Sequence, residues 1–295
     1  MSARPGGAVR EPHETTAAET RPGLIGVLVD DFEPFSAEVL KGVATALHGS
    51  RFDLVARSGA SRHAEAGWER GSLERLRDAD VQGAILMTPS CVVEAAGMPL
   101  VVIDPLISQT ELHSVTTDDF GGAVLATRHL AELGHRRIAL IAGRPDLESA
   151  HLRGAGYRRA LADAGLPYDP DLVRIGHYRR DASLEAARDL LLLPDPPTAV
   201  FAANDASAIA VVEAARERGV PVPERLSVVG YDDVPDAARV APPLTTVRQP
   251  LHRLGRAAAR VLMTLIEGGV PEERHLQLRN RLVLRASTAP PPAAA

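Results

Sequence analysis

Short, nearly continuous apolar runs recur along the chain from residue 24 and alternate with longer amphipathic stretches. The runs are LIGVLV (24–29), FDLVA (52–56), GAILM (83–87), PLVVI (99–103), RIALIA (137–142), TAVFAA (198–203) and LSVVG (226–230). A strand wetted on one face alternates apolar with polar residues, whereas a run apolar throughout is a strand covered on both faces, as in parallel sheets. The segments between most of the runs read as helices. Those at 119–133, 149–164 and 205–218 stop at Gly134, Gly165 and Gly219, each suited to the left-handed turn that closes a helix. Asp181 and Asn204 stand where side chains cap helix N-termini. The pattern predicts an α/β fold with doubly wound parallel sheets.

A weak internal repeat suggests two such units. Strand 24–29 is followed by a helix containing GVATAL (42–47), and strand 137–142 by one containing GYRRAL (156–161). Both fit G-x-x-x-A-L at nearly the same distance from their strands. Two similar Rossmann-like lobes result, the second starting near residue 135. The end of the chain does not fit a simple pair. After PPLTTVRQP (242–250) come a helix with apolar positions Leu251, Leu254, Ala258, Val261, Leu262 and Leu265, then Gly268-Gly269, then LQLRNRLVLR (276–285), which reads as a strand near a sheet edge. A helix and a strand left over predict a chain that returns to both lobes, and three crossings would make a hinged clamp.

Composition narrows the chemistry. A length of 295 residues accommodates two lobes of ordinary domain size. Only 3% of residues are aromatic, so Val, Leu, Ile and Ala must fill the core. Cys91 is the sole cysteine, which excludes a disulfide framework and any cysteine-based zinc site. The histidines show no H-x-x-x-H spacing, so no metal is expected. There is no G-x-S-x-G elbow, no Walker loop, and no G-x-G-x-x-G after a strand, so neither an enzyme nor a cofactor is implied. Lys41 is the only lysine, and the arginine pairs Arg136-Arg137, Arg158-Arg159 and Arg179-Arg180 lie among acids and read as solvated faces. With a net charge of −5 and no basic stripe, these residues should not hold nucleic acid by themselves. No apolar stretch is long enough to span a membrane. Residues 1–22 lack the apolar segment of a signal peptide and read as a disordered tail, which makes the expected location cytoplasmic.

Ligands of open α/β sheets bind beyond the carboxyl ends of the strands. Acidic pairs stand there: Asp30-Asp31, Asp118-Asp119 and Asp232-Asp233, with Asn204-Asp205 at a fourth strand end. Carboxylates and amides accept hydrogen bonds from vicinal hydroxyls, so the set suits a sugar or polyol. The alternative for Asp119 and Asp205 is a helix N-cap. Arg153, near the start of the first helix of the second lobe, could present a fork of donors to the same crevice or be a surface residue. Phe35 and Tyr178, in strand-to-helix connections, could cover the C–H face of a ring or plug a lobe edge.

Four segments, HLAELGHRRIALIAG (129–143), RGAGYRRALADAGLPYDPDLV (153–173), PPTAVFAANDASAIAVVEAARERGVPVPERLSVVGYDDVP (196–235) and PPLTTVRQP (242–250), together resemble the LacI/GalR family of bacterial transcription regulators. The resemblance covers about residues 23–290. It implies a fold like the periplasmic sugar-binding proteins: two Rossmann-like lobes, three crossovers, and an effector in the cleft. The lobes would comprise 23–133 plus 247–270 and 134–246 plus 271–288, with a disordered tail at 289–295. The effector contacts carried over are Phe35, Arg153, Tyr178, Asn204, Asp232 and Gln249; Asp118, at a strand end, completes the candidate site. Glu33 and Ser36 replace the family's Asn and second Phe. The short segment between strands 83–87 and 99–103 implies a vestigial helix.

The resemblance further implies a homodimer. Residues 1–22 show no helix-turn-helix pattern, so the chain as written is expected to sense an effector and to meet operator DNA only if a headpiece is supplied upstream. An exported solute-binding protein of a sugar transporter is the competing reading, but it needs a signal peptide or a lipobox cysteine, and Cys91 cannot serve. The expected ligand is neutral or cationic and hydroxylated, because Asp30, Asp31, Glu33, Asp118 and Asp232 outnumber one cation, Arg153, and burying an anion there is unfavourable. The side chains of Arg153 and Asp232 are expected to face solvent in the open cleft.

Overall fold

The computed structural model describes residues 22–59, 67–95, 97–107 and 111–292. Among them the apolar runs form two six-stranded sheets. The first is built from β1 (Gly23–Val29), β2 (Phe52–Ser58), β3 (Val81–Met87), β4 (Leu100–Ile103), β5 (His113–Thr117) and β11 (His275–Leu278). Its order is β11-β5-β4-β3-β1-β2, with every pairing parallel. The second contains β6 (Ile138–Ala142), β7 (Val173–Ile175), β8 (Ala199–Ala202), β9 (Ser227–Asp232), β10 (Thr245–Arg248) and β12 (Arg281–Val283). Its order is β12-β10-β9-β8-β6-β7, parallel except for the edge strand β12.

Both faces of each sheet are covered, as unbroken apolar strands require. In the first lobe α1 (Pro34–Leu47) and α7 (Leu251–Ile266) bury Val39, Val43, Leu254 and Leu262 on one face, and α2 (Trp68–Asp78) buries Trp68, Leu73 and Leu76 on the other. In the second, α3 (Asp119–Glu132) and α4 (Glu148–Asp163) enclose Leu130, Tyr157 and Leu161, while α5 (Arg180–Leu191) and α6 (Asp205–Glu217) enclose Leu190 and Val211. The repeat has a packing explanation. A Cβ on Gly42 would strike the backbone of His252 in α7, and one on Gly156 the backbone of Phe120 in α3. Each repeat glycine therefore marks the close crossing of a helix pair in its own lobe.

The helix ends follow local chemistry. Gly134, Gly165 and Gly219 are left-handed, at φ 101°, 65° and 64°. Asn204 caps α6 by accepting from Ser207 N at 3.0 Å. Asp181 does not cap α5, which starts at Arg180 after Arg179; it lies in the first turn, where negative charge suits the helix dipole. The described residues between β3 and β4 hold no helix, as their shortness implied.

Three expectations about boundaries need correction. Helix α3 packs on α4 and on the second sheet, not in the first lobe. The segment 276–285 is not one strand: β11 joins β5 of the first sheet, and two residues later β12 joins β10 of the second. The crossings therefore fall at 117–119, 248–251 and 278–281. Nor is 289–292 a free tail. Ser287 is fully buried and donates to Val228 O at 2.6 Å, and Ala289 O accepts from Ser227 Oγ at 2.9 Å. The tail expected over 1–22 lies outside the described residues, apart from Pro22. Among the described residues no helix is long and apolar enough to cross a membrane.

Candidate functional site

The carboxyl ends of the two sheets face each other across a cleft. Its corners are made by side-chain-bearing residues in the left-handed region: Thr88 after β3 (φ 45°), Asp104 after β4 (53°), His177 and Tyr178 after β7 (55° and 62°), and Asp232 and Asp233 at the end of β9 (107° and 59°). Such backbone costs free energy at non-glycine residues, and its concentration here sets the cleft apart from the other strand ends.

At the floor of the cleft lies Arg153 of α4, 5% exposed. Its Nε donates to Asp119 Oδ1 at 2.8 Å and its Nη1 to the Ala203 carbonyl at 2.5 Å, with Asp232 Oδ1 at 3.9 Å. Its Cζ sits 3.8 Å from the ring centroid of Tyr231 and 5.3 Å from that of Tyr178, so cation–π attraction adds to the ion pair. The Tyr178 hydroxyl shares a 3.0 Å hydrogen bond with Ser149 Oγ, which also reaches Asp104 Oδ2 at 3.0 Å. Desolvation, then Asp119 nearby, pushes the Asp104 carboxyl up to about 7. Desolvation inside the cleft, with Asp30 and Asp31 adding repulsion, does the same to Glu33. Burial also holds Asp232 well above the usual carboxylate range.

The floor connects to the crossings. Gln249 Nε2 donates to Asp232 Oδ1 at 2.6 Å, and Thr117 Oγ1 donates to Gln249 Oε1 at 2.6 Å. Asn280 Nδ2 reaches Thr117 Oγ1 and the Asp118 carbonyl, each at 3.1 Å, and the Tyr231 hydroxyl at 2.7 Å. One polar network thus joins all three crossings to the carboxylate in the cleft. Away from the crossings the lobes meet again. Arg144, after β6, donates to the carbonyls of Thr88 (3.3 Å) and Pro89 (3.0 Å) in the first lobe while pairing with Asp146 at 2.6 Å. Leu106 and Leu147 form an interlobe β-bridge beside it.

Cavities open between these contacts, the smallest of them beneath the floor along Asp119, Arg153 and Gln249. A central pocket is bounded by Glu33, Phe35, Thr88 and Asp104 from the first lobe and Arg153, Tyr178, Asn204 and Asp232 from the second. One flank is a cavity of about 460 Å³ with Phe35, Ile209, Val234 and Val240 on its wall. The other, of about 730 Å³, lies between Asp30, Asp31 and Glu33 on one side and Arg144, His177, Arg179 and Arg180 on the other. Among the described residues no group of three or more His, Cys, Asp or Glu is arranged to hold a metal ion.

Six of the seven candidate residues converge on this cleft: Phe35, Arg153, Tyr178, Asn204 and Asp232 line its cavities, and Gln249 holds Asp232 from beneath. Phe35 stands in the first turn of α1 and not in a connection before it. Asp118 is different. Its carboxylate caps α3 through Gly121 N at 2.9 Å, and its neighbour Asp119 takes the place beside Arg153. The pairs Asp232-Asp233 and Asn204-Asp205 divide likewise. Asp233 is buried between Arg248 and Arg285, and Asp205 accepts from Thr246 Oγ1 at 2.6 Å and Val234 N at 2.9 Å. Arg153 and Asp232 do not face solvent; both are 5% exposed. Nor is Arg153 the sole cation, since Arg144, Arg179 and Arg180 line the cleft; Arg179 and Arg180 are nonetheless exposed and paired with Asp181 and Glu213, the solvated face among acids that the sequence implied. Sequence reasoning missed Thr88 and Asp104, although each directly follows an apolar run and met the strand-end rule. For Asn280 and Arg144 the sequence carried no signal.

A periodic pattern of this kind has known counterparts. The profile of a periplasmic binding protein-like domain matches residues 127–288. The HTH-type transcriptional regulator CelR of Thermobifida fusca is 37% identical over 267 residues, covering 86% of this chain and 76% of that protein. The chain belongs to the LacI/GalR family of transcriptional regulators. The structure of a CelR–cellobiose complex superposes with a TM-score of 0.80 at 36% identity, over 90% of this chain and 86% of the other. A LacI family regulator from Enterococcus faecium with bound ribose gives 0.78 at 31% identity, over 90% and 99%. The two lobes with three crossings are thus the effector-sensing core of a LacI/GalR regulator, not an enzyme and not an exported component of a transporter.

Proposed function

We propose that this core binds a neutral sugar or polyol between its lobes and that occupancy alters how far the lobes close. The observation that carries the reading is the Arg153–Asp232 floor. The guanidinium is already compensated by Asp119 and a backbone carbonyl, so it brings no spare positive charge for an anion. Around it, Glu33, Asp104, Asp232 and Asn204 offer oxygens to hydroxyl donors. The extra arginines lie on the outer rim, in the larger cavity, and leave the charge balance at the floor unchanged. The sugars held by CelR and by the Enterococcus regulator support the ligand class. By the same family reading the chain works in the cytoplasm as a homodimer, and operator DNA is a partner only where a DNA-reading headpiece is supplied upstream.

Thermal-shift and calorimetric titration of neutral sugars and polyols against their phosphorylated and carboxylated counterparts tests this. Neutral compounds should stabilise the protein, and Asp232→Asn should weaken them up to about tenfold, as loss of roughly 0.5–1.5 kcal/mol in hydrogen bonding implies. Stabilisation by anionic compounds alone would reject the ligand class.

A further inference from the structure

Asp104 follows β4 in the first lobe, yet the groups that bear on its carboxylate come from the second. Ser149 of α4 donates to its Oδ2 at 3.0 Å, the Tyr178 hydroxyl lies one hydrogen bond further on, and Asp119 of α3 is near enough to repel it. The nearby cations are directed elsewhere. Arg153 pairs with Asp119 and donates to the Ala203 carbonyl, while Arg144 pairs with Asp146 and donates to the carbonyls of Thr88 and Pro89. Glu33 and Thr88 of the first lobe share the central pocket with Asp104, and Asp232 borders it from the end of β9. The touching lobes thus gather Asp104, Asp119 and Asp232 around one guanidinium. Like charges brought together out of water favour a proton on one of them. Asp119 has the short ion pair, so the proton falls to Asp104.

We propose that closing the lobes takes up a proton at Asp104 and that opening releases it, so that closure weakens as pH rises toward neutrality. This concerns the lobe closure read above and rests on it, not on the identity of the ligand. Opening withdraws Asp104 from its second-lobe neighbours together and returns it to water as an ordinary carboxylate. In the closed arrangement the same carboxyl is held up to about 7. Between those values the closed state holds a proton that the open state releases. The closing equilibrium therefore falls by up to about tenfold per pH unit and levels off above about 7. Protonated, the carboxyl donates as well as accepts, which suits a hydroxyl in the pocket. Glu33 does not act in this way, because the acids that repel it, Asp30 and Asp31, lie on its own segment and move with it. Asp205 keeps Thr246 and Val234, and Asp232 keeps Gln249, when the lobes part.

The backbone beside Asp104 carries a reporter of closure. Ile107 N donates to Asp146 O at 3.3 Å and Glu148 N to Pro105 O at 3.2 Å, both across the lobes. Residue-resolved hydrogen exchange of the unliganded protein from pH 5 to pH 8, with each rate divided by its intrinsic rate, compares these amides with strand amides of β4 and β8. Protection at the bridge relative to the strands should fall at least about tenfold over that range. In Asp104→Asn, which suits the left-handed backbone at φ 53°, the ratio should not depend on pH. Ser149→Ala is the second variant if that chain does not fold. It removes a donor to the carboxylate, so the fall should move to higher pH, which a purely structural serine would not cause. Glu33→Gln should keep the wild-type profile. A flat wild-type ratio, a slope that persists in Asp104→Asn, an unmoved profile in Ser149→Ala or a slope abolished by Glu33→Gln overturns the proton proposal and leaves the closure reading intact. Bridge amides that exchange only as slowly as the strands at every pH mean that the lobes do not part, and overturn both.

Discussion

Gln249 and Asp232 share a buried 2.6 Å hydrogen bond in which the amide donates to the carboxylate. The same amide accepts from Thr117 at the end of a first-lobe strand. One side chain therefore ties a buried acid of the cleft to the end of a first-lobe strand at a crossing between the lobes. The network continues through Asn280 to the remaining crossing. Under the proposed effector binding, a physically continuous set of groups of this kind is one route that couples the cleft to the crossings.

Gln249→Ala removes both bonds and leaves Asp232 with one buried donor fewer. The expected cost is about 1–3 kcal/mol, read as a lower urea midpoint. A midpoint equal to that of the wild type would show that the amide bridge is not a structural element of the floor.

Replacing Arg153 has a larger effect. In Arg153→Ala, Asp119 and Asp232 remain buried without their cation, which costs about 3–5 kcal/mol. Arg153→Lys should not restore stability, because an ammonium cannot reach Asp119 and the Ala203 carbonyl in the guanidinium's planar geometry. Chemical denaturation of the two variants checks this; wild-type stability in either would refute the buried-pair account.

The pH dependence has a defined sign at Asp205, whose carboxyl burial pushes up to about 7. Between the ordinary carboxylate range and about 7 the folded chain holds a proton that the unfolded chain releases, so this group's contribution to stability falls as pH rises through that window. Burial lowers His129 and His135, and these contribute the opposite slope near their ordinary pKa. The comparison that isolates Asp205 is the melting temperature of Asp205→Asn minus that of the wild type. It should increase from pH 5 to pH 8, and a difference independent of pH would contradict the assignment.

Arg144→Ala releases the contact with the Thr88 and Pro89 carbonyls. The stability change is expected to be only about 1 kcal/mol, since the side chain is partly solvated. The informative readout is shape. Small-angle scattering of the unliganded variant should give a larger radius of gyration than the wild type, and an unchanged radius would remove Arg144 from the closing contact.

Much of this was legible in the order of residues. The apolar runs announced parallel strands covered on both faces, and glycines 134, 165 and 219 announced helix ends. The motifs RGAGYRRAL, AAND, GYDD and TTVRQP carried the family resemblance and with it Arg153, Asn204, Asp232 and Gln249. These signals are local: a strand's burial, a left-handed closure and an N-cap depend on residues a few positions apart. The division of the acidic pairs was not legible. Adjacent side chains on a helix point about 100° apart, so which of Asp118 and Asp119 caps and which meets Arg153 depends on where α4 lies.

The sequence by itself determined the strands, the helices, their closures and the chemistry gathered at the strand ends. Tertiary structure decided ownership and partnership. It assigned α3 to the second lobe, because an amphipathic face fits either sheet until Gly156 brings α4 against Phe120. It placed a crossing inside LQLRNRLVLR, where the alternation is the same on both sides of Asn280 and cannot say which sheet each half joins. It turned Arg153 from an exposed donor into a buried ion, and it brought Arg144 onto the carbonyls of the opposite lobe. Periodicity encodes which face of an element is buried, but the partner that buries it, or that neutralises its charge, comes from residues far away in the chain.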